Sequence, residues 1–351
     1  MKMNRSVLLL TFAVLFVVSY LPAQDEAFSA YRFAALAQSP AEAGRIETQS
    51  QLSVLYRSQW NNVAEGGYQS AFAGFESQLF CPGESFFGLG VSAAYETAGT
   101  SHFTRVNGNI TLAYHQKLAD KLFLSGGGEV GVLSYQLDQD NLRFDAQFNG
   151  ISYDPSLPSL ENFSRASSVK IDAAVGALLY QQEGRFSVGF SVNHLTAPTL
   201  SFLEDGGFTV GLSSTVYGNF SIPIEKGGLV SNVLNVHLLH KNYGFVENKQ
   251  WFIISGIDFL IPLGSRGGNN AVTDHFDIDL SARIAGRESV FLISDAIIAT
   301  ARFSVNGWQF GAAYDFNISP LSTATNSFGA LEGFLTFPLS KASRCVRCPR
   351  F

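Results

Sequence analysis

Three cysteines and two histidines are the residues of this chain whose spacing most invites chemistry. Cys345 and Cys348 form a Cys-x-x-Cys pair near the C-terminus, and Cys81 is the only other cysteine. A structural zinc needs four ligands, so the pair supplies half a site. A thioredoxin-like centre needs a helix beginning at the pair within a βαβ context. Disulfide pairing in an oxidising compartment asks for less, through Cys81 with Cys345, Cys81 with Cys348, or the local pair Cys345 and Cys348. His237 and His240 suggest a metal, but residues three apart in a strand point to opposite faces. No carboxylate or thiol pair completes a site with them, so they read as lumenal or interfacial histidines. Asp138, Asp140, Asp145 and Asp154 share one stretch yet miss the spacing and the glycine of an EF-hand. Gly88, Gly90 and Ala93 match a dinucleotide fingerprint by letter, but they lie inside an alternating strand and not at a strand-to-helix turn. No Gly-x-Ser-x-Gly elbow occurs, and nothing fixes a Ser, a His and a carboxylate as a triad. The expectation is no enzyme, no cofactor and no metal site.

The elements that carry these residues read as strands. Across residues 105–115, Val106, Ile110, Leu112 and Tyr114 share one parity, while Arg105, Asn107, Asn109, Thr111 and His115 share the other. Side chains alternate between faces in a strand, so this segment has one apolar and one wet face. The pattern recurs down most of the chain, as in a sheet closed between lipid outside and water or polar side chains inside. Composition agrees: 46% of residues are apolar, 13% aromatic and only 15% charged, against about 25% charged in soluble domains. A formal charge of −6 argues against nucleic acid, which selects basic faces.

A first strand is expected to run to Trp60 through Leu52, Val54 and Tyr56, with others near residues 68–78, 87–96, 105–116, 122–135, 168–180, 186–193, 208–222, 229–240, 251–261, 275–284, 296–305, 308–316 and 329–337. These segments predict an all-β fold, an antiparallel transmembrane β-barrel of about 14 strands of the outer-membrane type. Arg105, Asn109, His115, Glu129, Lys170 and Asp172 fall on the inward parity, because charge facing lipid costs ~2–4 kcal/mol near the midplane. The parity defines an inside without saying whether it is open. The connections agree, with short links at residues 117–121 and 181–185 on the side of the termini and long ones after the fifth and seventh strands. Residues 262–274 form a longer link than that side favours. At the N-terminus, Lys2 and Arg5 precede an apolar run over residues 7–18, and Ala23 precedes Gln24. This reads as a secretory signal cleaved near Ala23, too short for the ~20 residues of a membrane helix.

The longest connection, residues 136–166, is polar and irregular, and loops of this length are usually functional or disordered. Its aromatics and prolines favour a packed loop, folded into the barrel mouth or lying on its rim. Within it, residues 142–163 carry an aromatic, Gln-Phe, Tyr-x-Pro and Leu-Pro-Ser succession that resembles the PorP/SprF family of outer-membrane proteins, associated with type IX secretion in Bacteroidota. Phe28, Ser29, Tyr31 and Phe33, then Pro40, Ala41, Ala43 and Gly44, are similar to the family's mature N-terminus. Residues 56–60 (Tyr-Arg-Ser-Gln-Trp) are similar to its first strand, and Asn193, His194, Leu195 and Pro198 to a central motif. Tyr314, Asp315 and Phe316 resemble a late strand, and Cys348, Pro349, Arg350 and Phe351 its ending. Two features depart from the pattern: Ser39 stands where Asn usually precedes Pro-Ala, and residues 61–67 lack the usual Gly-Phe-Asp-Gly.

The resemblance implies a non-enzymatic accessory of type IX secretion or gliding in the cell outer membrane, assisting export or surface retention of cargo. Its implied partners are cargo C-terminal domains and periplasmic or peptidoglycan-linked components. Arg143, Phe144, Gln147, Phe148, Tyr153 and Pro158 of the long loop are then the expected cargo contacts. The expected domains are a signal peptide over 1–23, a periplasmic N-terminal segment over 24–46, the barrel over 47–340 and a periplasmic tail over 341–351. A channel or transporter for small or apolar molecules is the alternative that the same strand pattern would serve.

Overall fold

The computed structural model describes residues 28–63, 66–81, 84–138, 142–161, 167–182, 184–202, 208–223, 233–243, 250–263, 274–287 and 290–340. The expected signal peptide, the tail with Cys345 and Cys348, and Asp140 lie outside these residues. Strands in chain order are β1 (Ser50–Gln59), β2 (Tyr68–Gln78), β3 (Phe86–Ala98), β4 (Phe103–Ala119), β5 (Leu122–Gln136), β6 (Ser167–Gln181), β7 (Phe186–Asn193), β8 (Thr199–Leu200) and β9 (Phe208–Thr209). They continue as β10 (Ser213–Pro223), β11 (Val233–Tyr243), β12 (Gln250–Pro262), β13 (His275–Arg287), β14 (Val290–Val305), β15 (Trp308–Asn317) and β16 (Phe328–Pro338). All but β8 and β9 join one closed antiparallel barrel of fourteen strands, sealed by pairing of β1 with β16. Among the described residues no helix is long and apolar enough to cross a membrane, and the chain crosses with strands.

The expected parity holds along β4. Arg105, Thr111 and His115 are buried toward the lumen, whereas Val106, Ile110 and Leu112 are exposed on the outer wall, Leu112 by 52%. An outer wall of this kind is what lipid requires, and a polar inner face is what a barrel permits. The two ends differ. At the end that carries the start of β1 and the end of β16, called here the terminal end, β14 and β15 are joined by Asn306 and Gly307 alone, both with positive φ, as the tightest hairpins demand. The opposite, loop end carries the long connections after β5 and β7.

Two strand expectations are corrected. The expected strand over 208–222 is two elements: β9 pairs with β8 in a separate hairpin, and the wall strand β10 begins only at Ser213. Between them Val210 donates its backbone N–H to Pro198 and is buried in a small cluster with Leu133 and Tyr135, which turns the chain off the wall. β14 starts at Val290 and not at residue 296, because a register shift opposite Arg283 and Ile284 leaves Asp295 unpaired. Such a bulge breaks the two-residue alternation by which a strand is recognised.

Candidate functional site

The lumen is filled by the chain's own N-terminal segment. Residues 28–46 run inside the wall as a succession of single turns: 3-10 turns at Tyr31–Phe33 and Pro40–Glu42 flank a one-turn helix at Ala35–Gln38. The expectation of a periplasmic segment over 24–46 is therefore corrected for its described part. The physical reason is burial: Phe28, Ala34, Ala41, Ala43 and Ile46 are almost wholly enclosed, and enclosing apolar side chains is favourable at ~25 cal/mol per Å². Phe33 stacks on Phe334 of β16 at 3.7 Å between ring centroids, and Leu36 and Phe28 join the same core as Leu55 and Phe72 of the wall.

A non-strand segment in a barrel cannot satisfy its backbone in a ladder, and buried N–H and C=O groups must find partners. The wall supplies them with side chains. Toward the loop end, the Glu332 carboxylate accepts from the backbone N–H of Ser29 and of Ala30, each at 2.7 Å, one on each oxygen. The Ser29 hydroxyl donates to Asp315 at 2.8 Å. Arg57 bridges the two acids, pairing with Glu332 and, at 3.0 Å, with Asp315; Arg283 pairs with Asp315 at 2.9 Å and with Asp295. Toward the terminal end most of the donors come from the wall. Ser191 donates to the Gln38 carbonyl at 2.6 Å, Ser125 to Ala41 at 2.8 Å, and His115 shares a 2.9 Å hydrogen bond with Ala43. Gln78 donates to Gly44 at 3.0 Å, and Gly44 donates to Glu76 at 3.2 Å. Between these sets Arg32 reaches Asp258 at 3.2 Å and Asp279 at 2.7 Å.

Glycines make the room. A Cβ added at Gly88 would lie 1.9 Å from the Ala43 carbonyl oxygen, and one at Gly127 would lie 2.4 Å from that of Pro40. A Cβ at Gly176 would lie 2.3 Å from Ser39 Oγ. These three inward-facing positions on β3, β5 and β6 form a cradle in which the wall backbone touches the plug directly, the close approach that a glycine in a strand permits. Two small cavities lie on either side of the Ala35–Gln38 turn, of about 40 Å³ beside Arg32 and His237 and about 50 Å³ beside Arg105 and Asp172. The inner charges expected from parity are there: Arg105 pairs with Glu96 at 3.2 Å, Glu129 accepts from Thr111 at 2.6 Å, and Asp172 meets His194.

The long loop lies at the loop end and folds on itself. A 3-10 turn at Asp145–Gln147 leads into a bridge between Phe148 and Tyr153, and Arg143 stands over the Tyr153 ring at 5.2 Å. Gln147 is buried at its centre and donates to the Leu157 carbonyl at 3.0 Å, so of the expected contact residues it faces inward. Phe144 and Tyr153 are half-buried, while Arg143, Phe148 and Pro158 are exposed. Asp154 accepts from the hydroxyl and the backbone N–H of Ser156, which holds its carboxyl below the ordinary range. Asp138, Asp145 and Asp154 form no metal cluster among the described residues. Cys81 is disulfide-bonded; Cys345 and Cys348 lie outside the described residues.

His237 is inward-facing and buried, as one of the two expected parities requires, and His240 lies on the other face. The statement that no carboxylate pair completes a cluster with it is corrected. Asp258 and Asp279, on the two following strands, bring one ligand atom each within 4.8 Å of the histidine's. Sequence reasoning also missed the plug clamp of Arg57, Glu332 and Asp315. Its signal was present as inward-parity charges with no partner in their own strands and as glycines on the inward parity of β3, β5 and β6.

A closed fourteen-stranded wall, apolar outside, with its own N-terminal segment clamped in the lumen, defines a plugged transmembrane β-barrel of the outer-membrane type. The chain belongs to the Type IX secretion system membrane protein PorP/SprF family, whose model matches residues 21–337. No curated protein matches it. Among solved structures it is similar to the deltaS2S3 mutant of the TodX monoaromatic hydrocarbon channel, at 11% identity over 86% of this chain and 92% of that chain with a TM-score of 0.44. It is also similar to the translocator domain of the autotransporter NalP from Neisseria meningitidis, at 9% identity over 95% and 98% with a TM-score of 0.34.

Proposed function

We propose that this protein is a non-enzymatic outer-membrane accessory of type IX secretion or gliding, a scaffold and not a conduit, assisting export or surface retention of cargo proteins. The observation that carries this reading is the plug. Residues 28–46 fill the lumen with buried side chains and are held by charge-assisted hydrogen bonds from both ends of the wall. A small-molecule channel needs a continuous aqueous or apolar path, and the two cavities beside the plug, of about 40 and 50 Å³, hold only a few waters each. Work at a membrane is then done by the ends. The loop end, with the self-folded loop and its exposed Phe148, Ile151 and Leu160, is the surface for cargo C-terminal domains, since exposed apolar groups mark interaction sites. The terminal end and the tail over 341–351 face the periplasmic machinery.

Two measurements test this. In planar bilayers the native protein is silent; steady conductance by the native protein would return the reading to a channel. Replacement of residues 143–161 by a short Gly/Ser linker leaves a membrane-inserted barrel and abolishes surface display of cargo. Normal display would remove the loop from the function.

A further inference from the structure

The cluster formed by His237, Asp258 and Asp279 has the chemistry of a metal site and a cation already in it. Asp258 and Asp279 are register partners across β12 and β13, and His237 faces them from β11 beside β12. All three are buried, His237 with 3% and Asp258 with 0% of its surface exposed. The hydrogen bonds around the ring fix its tautomer. The Ser281 hydroxyl donates its proton to Asp279 Oδ1, so toward His237 Nε2, 3.0 Å away, the same oxygen acts as acceptor. In the neutral ring Nε2 then carries the proton, and Nδ1 presents a bare lone pair. That Nδ1 makes no hydrogen bond and lies 3.3 Å from Asp279 Oδ2. A lone pair aimed at a carboxylate is repulsive unless a positive charge stands with them. The Arg32 guanidinium provides it, at 3.2 Å from Asp258 and 2.7 Å from Asp279.

We propose that His237, Asp258 and Asp279 form a divalent-metal site, and that Arg32 of the plug closes it while the plug is seated. One imidazole nitrogen, two carboxylates and an open fourth position suit Zn2+, whereas Mg2+ favours an all-oxygen shell. The serine that orients the ring is the kind of outer partner that metal-bound histidines use. Metal and guanidinium are alternative occupants, so the site couples ion binding to the position of the plug. This inference is independent of the secretion role.

The test is calorimetric titration of Zn2+ into the purified barrel in detergent, with Mg2+ as the control. Removing the competing cation by Arg32→Gln raises Zn2+ affinity at least about tenfold over the native protein, since a neighbouring unit charge is worth several kcal/mol at short range. Adding His237→Ala or Asp258→Ala to Arg32→Gln abolishes the gain, and Mg2+ shows none. Arg32→Met is measured beside Arg32→Gln, so that a folding defect in one leaves the other. Equal Zn2+ affinity in native and Arg32-substituted barrels, or a gain that survives His237→Ala, overturns the proposal.

Discussion

Three consecutive glycines in β5 separate the plug's contribution from the wall's. Gly127 faces the lumen, while Gly126 and Gly128 face out and a Cβ there meets nothing within 4 Å. Substitution of Gly127 by Ala places a methyl 2.4 Å from the Pro40 carbonyl oxygen and 2.6 Å from the Ala41 nitrogen, about 1 Å short of ordinary contact. The wall cannot retreat, because Gly127 is held in register with Ala113 on one side and Gly176 on the other. The plug must move, and the 2.8 Å hydrogen bond from Ser125 to the Ala41 carbonyl does not survive a displacement of that size. Overpacking of this kind costs about 1–3 kcal/mol, and the lost hydrogen bond adds about 1. Together they destabilise the seated plug by roughly 2–4 kcal/mol, which raises its unseated population about 30-fold to 700-fold at tenfold per 1.4 kcal/mol. Trypsin reads this out at Arg32 and Arg45, the only basic residues of the plug, because cleavage of a transiently opened segment follows its open population when reclosing is fast. Gly126→Ala and Gly128→Ala leave the cleavage rate unchanged or slightly lower, since alanine is the better strand residue. If all three variants are cleaved at the same rate, the cradle does not hold the plug and the argument from close contact fails.

Glu332→Ala leaves two plug N–H groups buried without their acceptor and Arg57 with Asp315 as its one remaining acid, a loss of about 3–5 kcal/mol. Cleavage at Arg32 rises more than at Arg45, and Glu332→Gln, which keeps one acceptor oxygen, has the smaller effect; the reverse order would contradict the clamp. Leu112→Arg puts a charge on the exposed outer wall and destabilises by ~2–4 kcal/mol near the midplane, whereas Asn109→Arg, lining a lumenal cavity, is better tolerated. Heat-modifiable migration after membrane extraction ranks the two, and equal damage refutes the facing. In the loop, the Asp154 carboxyl lies below its ordinary range because Ser156 donates to it. Its contribution to loop order is therefore present above the ordinary carboxylate range and lost as pH falls through the lowered value; Ser156→Ala moves the NMR titration midpoint of Asp154 upward, and an unmoved midpoint removes the cause.

The wall was legible because a strand between two solvents writes its geometry with period two, and β4 states it within eleven residues. Where the period breaks, so does legibility: the bulge at Asp295 hides the first residues of β14, and the inward excursion at Val210 hides the gap between β9 and β10. The plug was not legible. Single turns of three or four residues have no period, and Ser29 finds Glu332 at a separation of 303 residues, far beyond any local pattern. The metal-like cluster failed for a related reason. Along one strand His237 and His240 diverge, while the carboxylates arrive across the ladder, where neighbouring strands lie only about 5 Å apart.

Barrel closure and plug seating share the same residues, and this decides what kind of object the protein is. Arg57 on β1 and Glu332 on β16 are register partners across the seam that seals the barrel. Glu332 is also the acceptor for the plug's Ser29 and Ala30, and Asp315, the second acid on Arg57, accepts from the Ser29 hydroxyl. The plug is thus not a lid laid over a finished pore. Withdrawing it strips two N–H donors from a fully buried carboxylate, leaves Asp258 and Asp279 without Arg32, and exposes Phe72 and Phe334 to the lumen. An uncompensated buried charge is among the costliest defects in a fold, so the open lumen is a state that needs replacement partners of matching charge. In their absence the seated plug is the ground state.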